Sequence, residues 1–169
     1  MSKTNREEAV FILNLLQHLY MNFANKNVSQ FKDRIGAITP YKAQVRLIKD
    51  LVGNWVRSLP NPQPRLTDLL EVNTVDAFQG REKDIIIISC VRSNSSASLK
   101  GSLGFLVDAR RMNVAITRAK HFLFLVGNSE TLSKNEHWRG MIKQCGAGRE
   151  QGMIKYSNPQ AYSLNSLKD

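Results

Sequence analysis

The sequence predicts an α/β sandwich, a mostly parallel sheet covered by helices on both faces. Three observations predict it. Short apolar runs alternate with amphipathic stretches of helical period along most of the chain, the pattern of parallel strands joined by helices. Residues 85–88 are four isoleucines without alternation, as in a strand buried on both faces. The length of 169 residues suits one domain, and 42% hydrophobic residues can build its core.

Residues 6–24 read as a helix, because Val10, Leu13, Leu16, Tyr20 and Phe23 recur at three- and four-residue steps. Asn5 stands where a cap belongs, and Glu7 and Glu8 favour the dipole from the first turn. The Asn- and Lys-rich residues 25–34 read as a loop. RIGAITPY (34–41) reads as a short buried strand ended by Pro40. Residues 42–57 form a second helix with Val45, Ile48, Leu51, Val52 and Trp55 on one side. LPNPQP (59–64) is a Pro-rich loop. Strands are expected at 70–74 and 84–91, with polar, Gly-containing text between them. Ser/Gly-rich residues 93–104 read as a loop and 108–120 as a helix. A further buried strand is expected at 121–127, a helix at 131–145 and a short last strand at 152–156. The domain is placed at 1–156, with 157–169 as a polar tail.

Lys plus Arg number 24 against 14 Asp plus Glu, a net charge of +10. That surplus favours a polyanionic partner such as nucleic acid or nucleotide phosphate. A basic surface serving solubility leaves the same trace. Cys90 and Cys145 form no Cys-x-x-Cys and join no Cys/His cluster, so no metal site is expected. Two separated thiols fit a reduced, intracellular setting better than a disulfide. His18, His121 and His137 lie far apart and read as structural. Trp55 and Trp138 fall in helical stretches with apolar neighbours and read as core. Polar residues 5–8 interrupt any secretory signal, and no apolar run approaches the ~20 residues that span a bilayer.

Three segments carry candidate chemistry. In QGRE (79–82), Gly80 permits a tight turn that exposes backbone N–H groups to phosphate oxygens. Glu82 offers two acceptors suited to sugar hydroxyls, and Arg81 and Lys83 add charge. An ordinary solvated turn would look the same. In DARRMNVAITRAK (108–120), a helix would bury Met112, Ala115, Ile116 and Ala119 and leave Arg111 and Arg118 two turns apart on one edge. Two guanidiniums so placed suit one anion; two solvated arginines on a core helix are the alternative. ITPYKAQ (38–44) brings Thr39, Tyr41, Lys42 and Gln44 to a strand-to-helix junction. Hydroxyls and early-helix N–H groups there suit a backbone phosphate, or simply start the helix. The clusters at 39–41 and 74–84 follow the first and second strands, and open parallel sheets gather chemistry at the carboxyl ends of strands.

Taken in order, TPYKAQ (39–44), VNTVDAFQGREKDIIIISCVRS (72–93) and RRMNVAITRAK (110–120) followed by LFLVGN (123–128) resemble the second RecA-like domain of superfamily-1 helicases. The branch is that of the nonsense-mediated-decay helicase and senataxin, and LFLVGNSETLSKNEHWRGMI (123–142) looks closer to the senataxin side. The resemblance covers residues 5–145 and implies a RecA-like three-layer sandwich. It assigns Gly80 to the γ-phosphate of ATP and Glu82 to the ribose. It makes Arg118 the arginine finger, with Arg111 assisting and Gln79 at the cleft relaying nucleotide state. It lays Thr39, Pro40, Thr74 and Val75 along a single-stranded RNA or DNA track, while Asp76 orders the loop. It further implies a monomeric, ATP- and Mg²⁺-dependent 5′-to-3′ motor acting in RNA processing. Residence would be nuclear, otherwise cytoplasmic.

The sequence departs from a whole motor. It contains no G-x-x-x-x-G-K-[ST] and no acidic pair after an apolar strand. Phosphoryl transfer needs that phosphate cradle and those Mg²⁺ ligands, so both are expected from a first RecA-like domain. By itself the chain is expected to be inactive. A non-catalytic, basic module for nucleic acid or protein is the other reading, and a nuclease finds no clustered carboxylates.

Overall fold

The computed structural model describes residues 3–27, 33–59, 70–91 and 108–147. In chain order the elements are α1 (Arg6–Asn27), β1 (Ile35–Thr39), α2 (Lys42–Ser58), β2 (Leu70–Thr74), a 3-10 turn (Asp76–Phe78), β3 (Lys83–Ser89), α3 (Ala109–Ile116), β4 (Ala119–Val126), α4 (Ser129–Leu132) and α5 (Glu136–Ala147). Most of the Pro-rich stretch, residues 93–104, the strand expected at 152–156 and the tail at 157–169 lie outside the described residues.

The four strands are all parallel, in the order β2-β1-β3-β4. The expected α/β, RecA-like sandwich is therefore the fold. Alternation along the strands divides the core into two faces. Ile35, Ala37, Leu70, Val72 and Ile87 pack under α1 and α2, against Ala9, Ile12, Leu16, Ile48, Val52 and Val56. Ile38, Ile86 and Ile88 face the other way, toward Phe78, Met112, Ala115 and Trp138. Ile86, Ile87 and Ile88 are fully buried, and each such side chain contributes roughly 1.5–3 kcal/mol. The isoleucine strand is thus the shared wall of both faces. Trp138 is core, and Trp55 meets Tyr20 edge-on with ring centroids 5.6 Å apart.

Three expectations need correction. The helix over 108–120 ends at Ile116. The hydroxyl of Thr117 donates to Asn113 O and Val114 O, and Arg118 Nε donates to Val114 O, which uses up the last carbonyls. Ala119 then pairs with Lys83 of β3, so sheet pairing overrides local helical preference. The helix over 131–145 is two helices, because Asn128 caps α4 through Thr131 N and Asn135 caps α5 through His137 N and Trp138 N. The strand expected to be buried at 121–127 is the sheet edge. His121 and Phe122 are exposed and residues 123–126 are half-buried, since a strand flanked on one side cannot be covered as β3 is.

The connection from β2 to β3 positions the candidate site. Residues 75–82 leave the carboxyl end of β2 and must return to the amino end of β3, because the strands are parallel. They do so across the face of β1, in fewer residues than the dozen or more a parallel crossover usually takes. Gly36 of β1 makes room. A Cβ there would lie 2.7 Å from Phe78 Cζ, 2.9 Å from Ile86 Cδ1 and 3.2 Å from Lys83 Cγ. Without it, the Phe78 ring lies buried directly on the strand.

Candidate functional site

The crossover splits the polar cluster between the two ends of the sheet. Gly80, Arg81 and Glu82 precede β3, and Arg118 precedes β4, so all four stand at the amino ends of strands. Thr39, Pro40, Thr74 and Val75 stand at the carboxyl ends of β1 and β2. The expectation that the clusters after the first two strands share the carboxyl edge therefore does not hold for QGRE. Strand rise puts the two ends about 15 Å apart.

At the amino end, Gly80 adopts φ +78 and is exposed, with open space where a side chain would start. That left-handed conformation is easy only for glycine. Arg118 lies against this turn. Its Nη1 donates to Arg81 O at 3.4 Å, its Nη2 donates to Thr117 Oγ1 at 3.1 Å, and its own carbonyl accepts from Lys83 N at 3.0 Å. Glu82 is exposed and has no ion-pair partner among the described residues. Gln79 is exposed and closes the 3-10 turn, donating its N–H to Asp76 O.

Below the turn sits Glu71, which sequence reasoning did not single out. It accepts from Arg81 Nη1 and from Asn73 Nδ2 (3.0 Å) on Oε1, and pairs with Lys83 Nζ (3.0 Å) through Oε2. Burial would raise its pKa, but the hydrogen bonds and charges of Lys83 and Arg81 outweigh burial and hold it below the ordinary carboxylate value. Its spacing to Arg81 shows nothing in sequence, because the pair forms only when the crossover folds back on β2.

Arg111 and Arg118 do not converge. Arg111 lies at the start of α3 and pairs with Asp76 (3.3 Å) and Asp108 (3.8 Å), near the loop leaving β2. Arg118 falls past the end of the helix, so the two-turn spacing does not apply to it. Asp76, expected to order its loop, meets Arg111 there.

At the carboxyl end, Pro40 and Thr74 are half-buried and reach the surface, and Thr74 Oγ1 accepts from Ala77 N at 3.4 Å. Thr39 is fully buried and Val75 nearly so. Neither side chain is on the surface, because β1 is a central strand and Val75 turns into the core. Val75 N donates to Thr39 O, tying the two strand ends together. Among the described residues, Thr39 Oγ1 is the buried side-chain atom without a hydrogen-bond partner.

A second polar network stands behind this end. Asn5 Oδ1 caps α1 by accepting from Glu8 N. Glu8 is buried instead of simply serving the dipole. Its Oε2 accepts from Ser89 Oγ (2.7 Å) and Val91 N (2.8 Å), and its Oε1 accepts from Asn5 Nδ2. Buried Gln44 donates to Ser89 Oγ and Asn5 O and accepts from Asn5 N. Val91 holds φ +68, a strained value for a β-branched residue, and this network secures both its N–H and its carbonyl. Burial pushes Glu8 up to about 7, against the lowering effect of Ser89, Val91 and Cys90.

Comparison with known proteins agrees with this architecture. The family described as an AAA domain matches residues 1–130. The chain is 37% identical over 169 residues to the helicase Sen1 of Saccharomyces cerevisiae, covering 97% of the chain and 7% of Sen1. It is 49% identical over 135 residues to the probable helicase senataxin of Homo sapiens, 79% of the chain and 4% of senataxin. It is 36% identical over 164 residues to the ATP-dependent helicase upf1 of Schizosaccharomyces pombe, 97% of the chain and 15% of that protein. The chain thus spans a small part of each relative. It belongs to the AAA domain family, among the superfamily-1 helicases of the Sen1, senataxin and UPF1 group.

Proposed function

We propose that the chain is the second RecA-like lobe of an ATP-dependent, 5′-to-3′ RNA/DNA helicase of the senataxin kind. The course of the chain from Thr74 to Lys83 carries this reading. One short crossover joins a strand end beside Pro40 to an exposed glycine turn beside Arg118. Movement at either end is transmitted through Phe78, clamped over Gly36.

The amino-end residues fit one side of a nucleotide. Arg118 supplies a permanent positive fork for the γ-phosphate, Gly80 lets that phosphate approach the backbone, and Glu82 accepts from the ribose hydroxyls. Gln79, next to Gly80, senses the cleft. Arg111 acts through Asp76 on the strand-facing loop. Pro40 and Thr74 touch the single strand, with Thr39 and Val75 supporting them from within. The first RecA-like domain of the same monomeric helicase provides the phosphate cradle and the Mg²⁺ ligands. When bound, Mg²⁺ neutralises charge on the terminal phosphates. Nuclear residence, or otherwise cytoplasmic residence, goes with this reading.

Arg118→Ala in the complete helicase should lower RNA-stimulated ATP turnover by ~10³-fold and leave single-strand binding nearly unchanged. Turnover within a few-fold of wild type would remove Arg118 from the finger role. The isolated chain should not hydrolyse ATP, and a first domain added in trans should restore hydrolysis. Failure of restoration, with nucleic-acid binding retained, would favour the basic binding module instead.

A further inference from the structure

Ion pairs to β2 hold the turn that carries Glu82. Arg81 and Lys83 flank Glu82, and both reach the same carboxylate, that of Glu71 on β2. Glu82, between the two, is exposed. Lys83 is the more deeply packed of the pair, with its side chain 11% exposed, and Asp33 Oδ1 lies 3.8 Å from its Nζ. Asn73 donates to the same Oε1 that receives Arg81, fixing the carboxylate. The Arg81 carbonyl accepts from Arg118, and Lys83 N donates to the Arg118 carbonyl. A chain of contacts thus runs from Glu71, through both neighbours of Glu82, to Arg118.

We propose that Glu71 is a positioning residue for the nucleotide. It clamps Arg81 and Lys83 so that Glu82 is presented to the ribose and Arg118 is aligned beside it. This inference rests on the helicase reading given above. Glu71 touches no nucleotide. Lys83 and Glu71 are mostly buried, so loss of the Glu71 charge lowers stability as well as releasing the turn.

The test compares ATP with 2′,3′-dideoxy-ATP in RNA-stimulated hydrolysis by the complete helicase. A carboxylate receiving a ribose hydroxyl favours ATP on the order of tenfold in kcat/KM. Glu82→Gln should erase most of that preference. Glu71→Gln keeps one acceptor oxygen and loses the charge that holds Arg81 and Lys83. It should also erase most of the preference, chiefly through KM for ATP, at temperatures well below its lowered thermal midpoint. Partial unfolding would lower activity on both nucleotides alike and leave their ratio intact, so the ratio isolates positioning. Glu71→Asp, shorter by one methylene, should recover part of the ratio. If Glu82→Gln collapses the ratio and Glu71→Gln does not, the positioning role is wrong while the nucleotide assignment stands. If Glu82→Gln leaves the ratio unchanged, the ribose assignment fails and this inference falls with it.

Discussion

Replacing Glu8 by Gln should change how the stability of this domain depends on pH. The Glu8 carboxyl titrates near 7 in the fold, against an ordinary 4.5. Burial is the main cause, and it raises the folded value above the unfolded one. The folded state therefore holds the proton more tightly, so stability is greatest below the unfolded pKa and falls as pH rises through 7. Between about pH 5.5 and about pH 7.5 the loss works out at about 2 kcal/mol. Gln is the same size and uncharged, and its Oε1 can still accept from Ser89 Oγ and Val91 N. Urea unfolding of both proteins at both pH values isolates the effect, because every other titrating group cancels in the comparison. Relative to wild type, Glu8→Gln should gain about 2 kcal/mol on going from the lower to the higher pH. With a slope near 2 kcal/mol per M, that is a relative midpoint shift of about 1 M. A difference between the two proteins that does not change with pH would refute the reasoning. It would mean that the N–H and hydroxyl donors around Glu8 fully compensate its burial.

Gly36→Ala should cost about 1–3 kcal/mol by urea unfolding, since the new Cβ meets the buried Phe78 ring and Ile86; the displaced crossover should also raise KM for ATP in the complete helicase. An unchanged midpoint and KM would show that the crossover is not clamped there. Thr39→Val keeps the branched shape and removes an unpartnered buried hydroxyl, so it should stabilise the domain by about 1 kcal/mol. A thermal melt showing destabilisation would mean that the hydroxyl is satisfied. Thr74→Ala should weaken single-strand binding roughly 2- to 10-fold in fluorescence anisotropy, equally for uridine-rich and adenosine-rich strands, because backbone phosphates carry no base identity. A strong base-dependent change would exclude a phosphate contact.

The parts of this protein set by neighbours close in sequence are legible in the amino-acid order alone. Helix α2 buries Ile48 and Val52 of its expected face and packs Val45, Leu51 and Trp55 against the same core, and β2 falls at 70–74 as its pattern predicts, because 3.6- and two-residue periods are local properties. The isoleucine run announces a strand covered on both faces. The motifs also mark Gly80, Glu82 and Arg118 as candidates, and the fold brings them to one end of the sheet. What the tertiary structure decides is direction and partnership. Parallel pairing forces residues 75–82 across β1, so QGRE lies at the opposite end from Thr74. The same pairing ends α3 early and separates Arg111 from Arg118. Glu71 meets Arg81 ten positions away, and Glu8 meets Ser89 eighty-one positions away. Contacts across such distances depend on the path of the whole chain, and no local period encodes them.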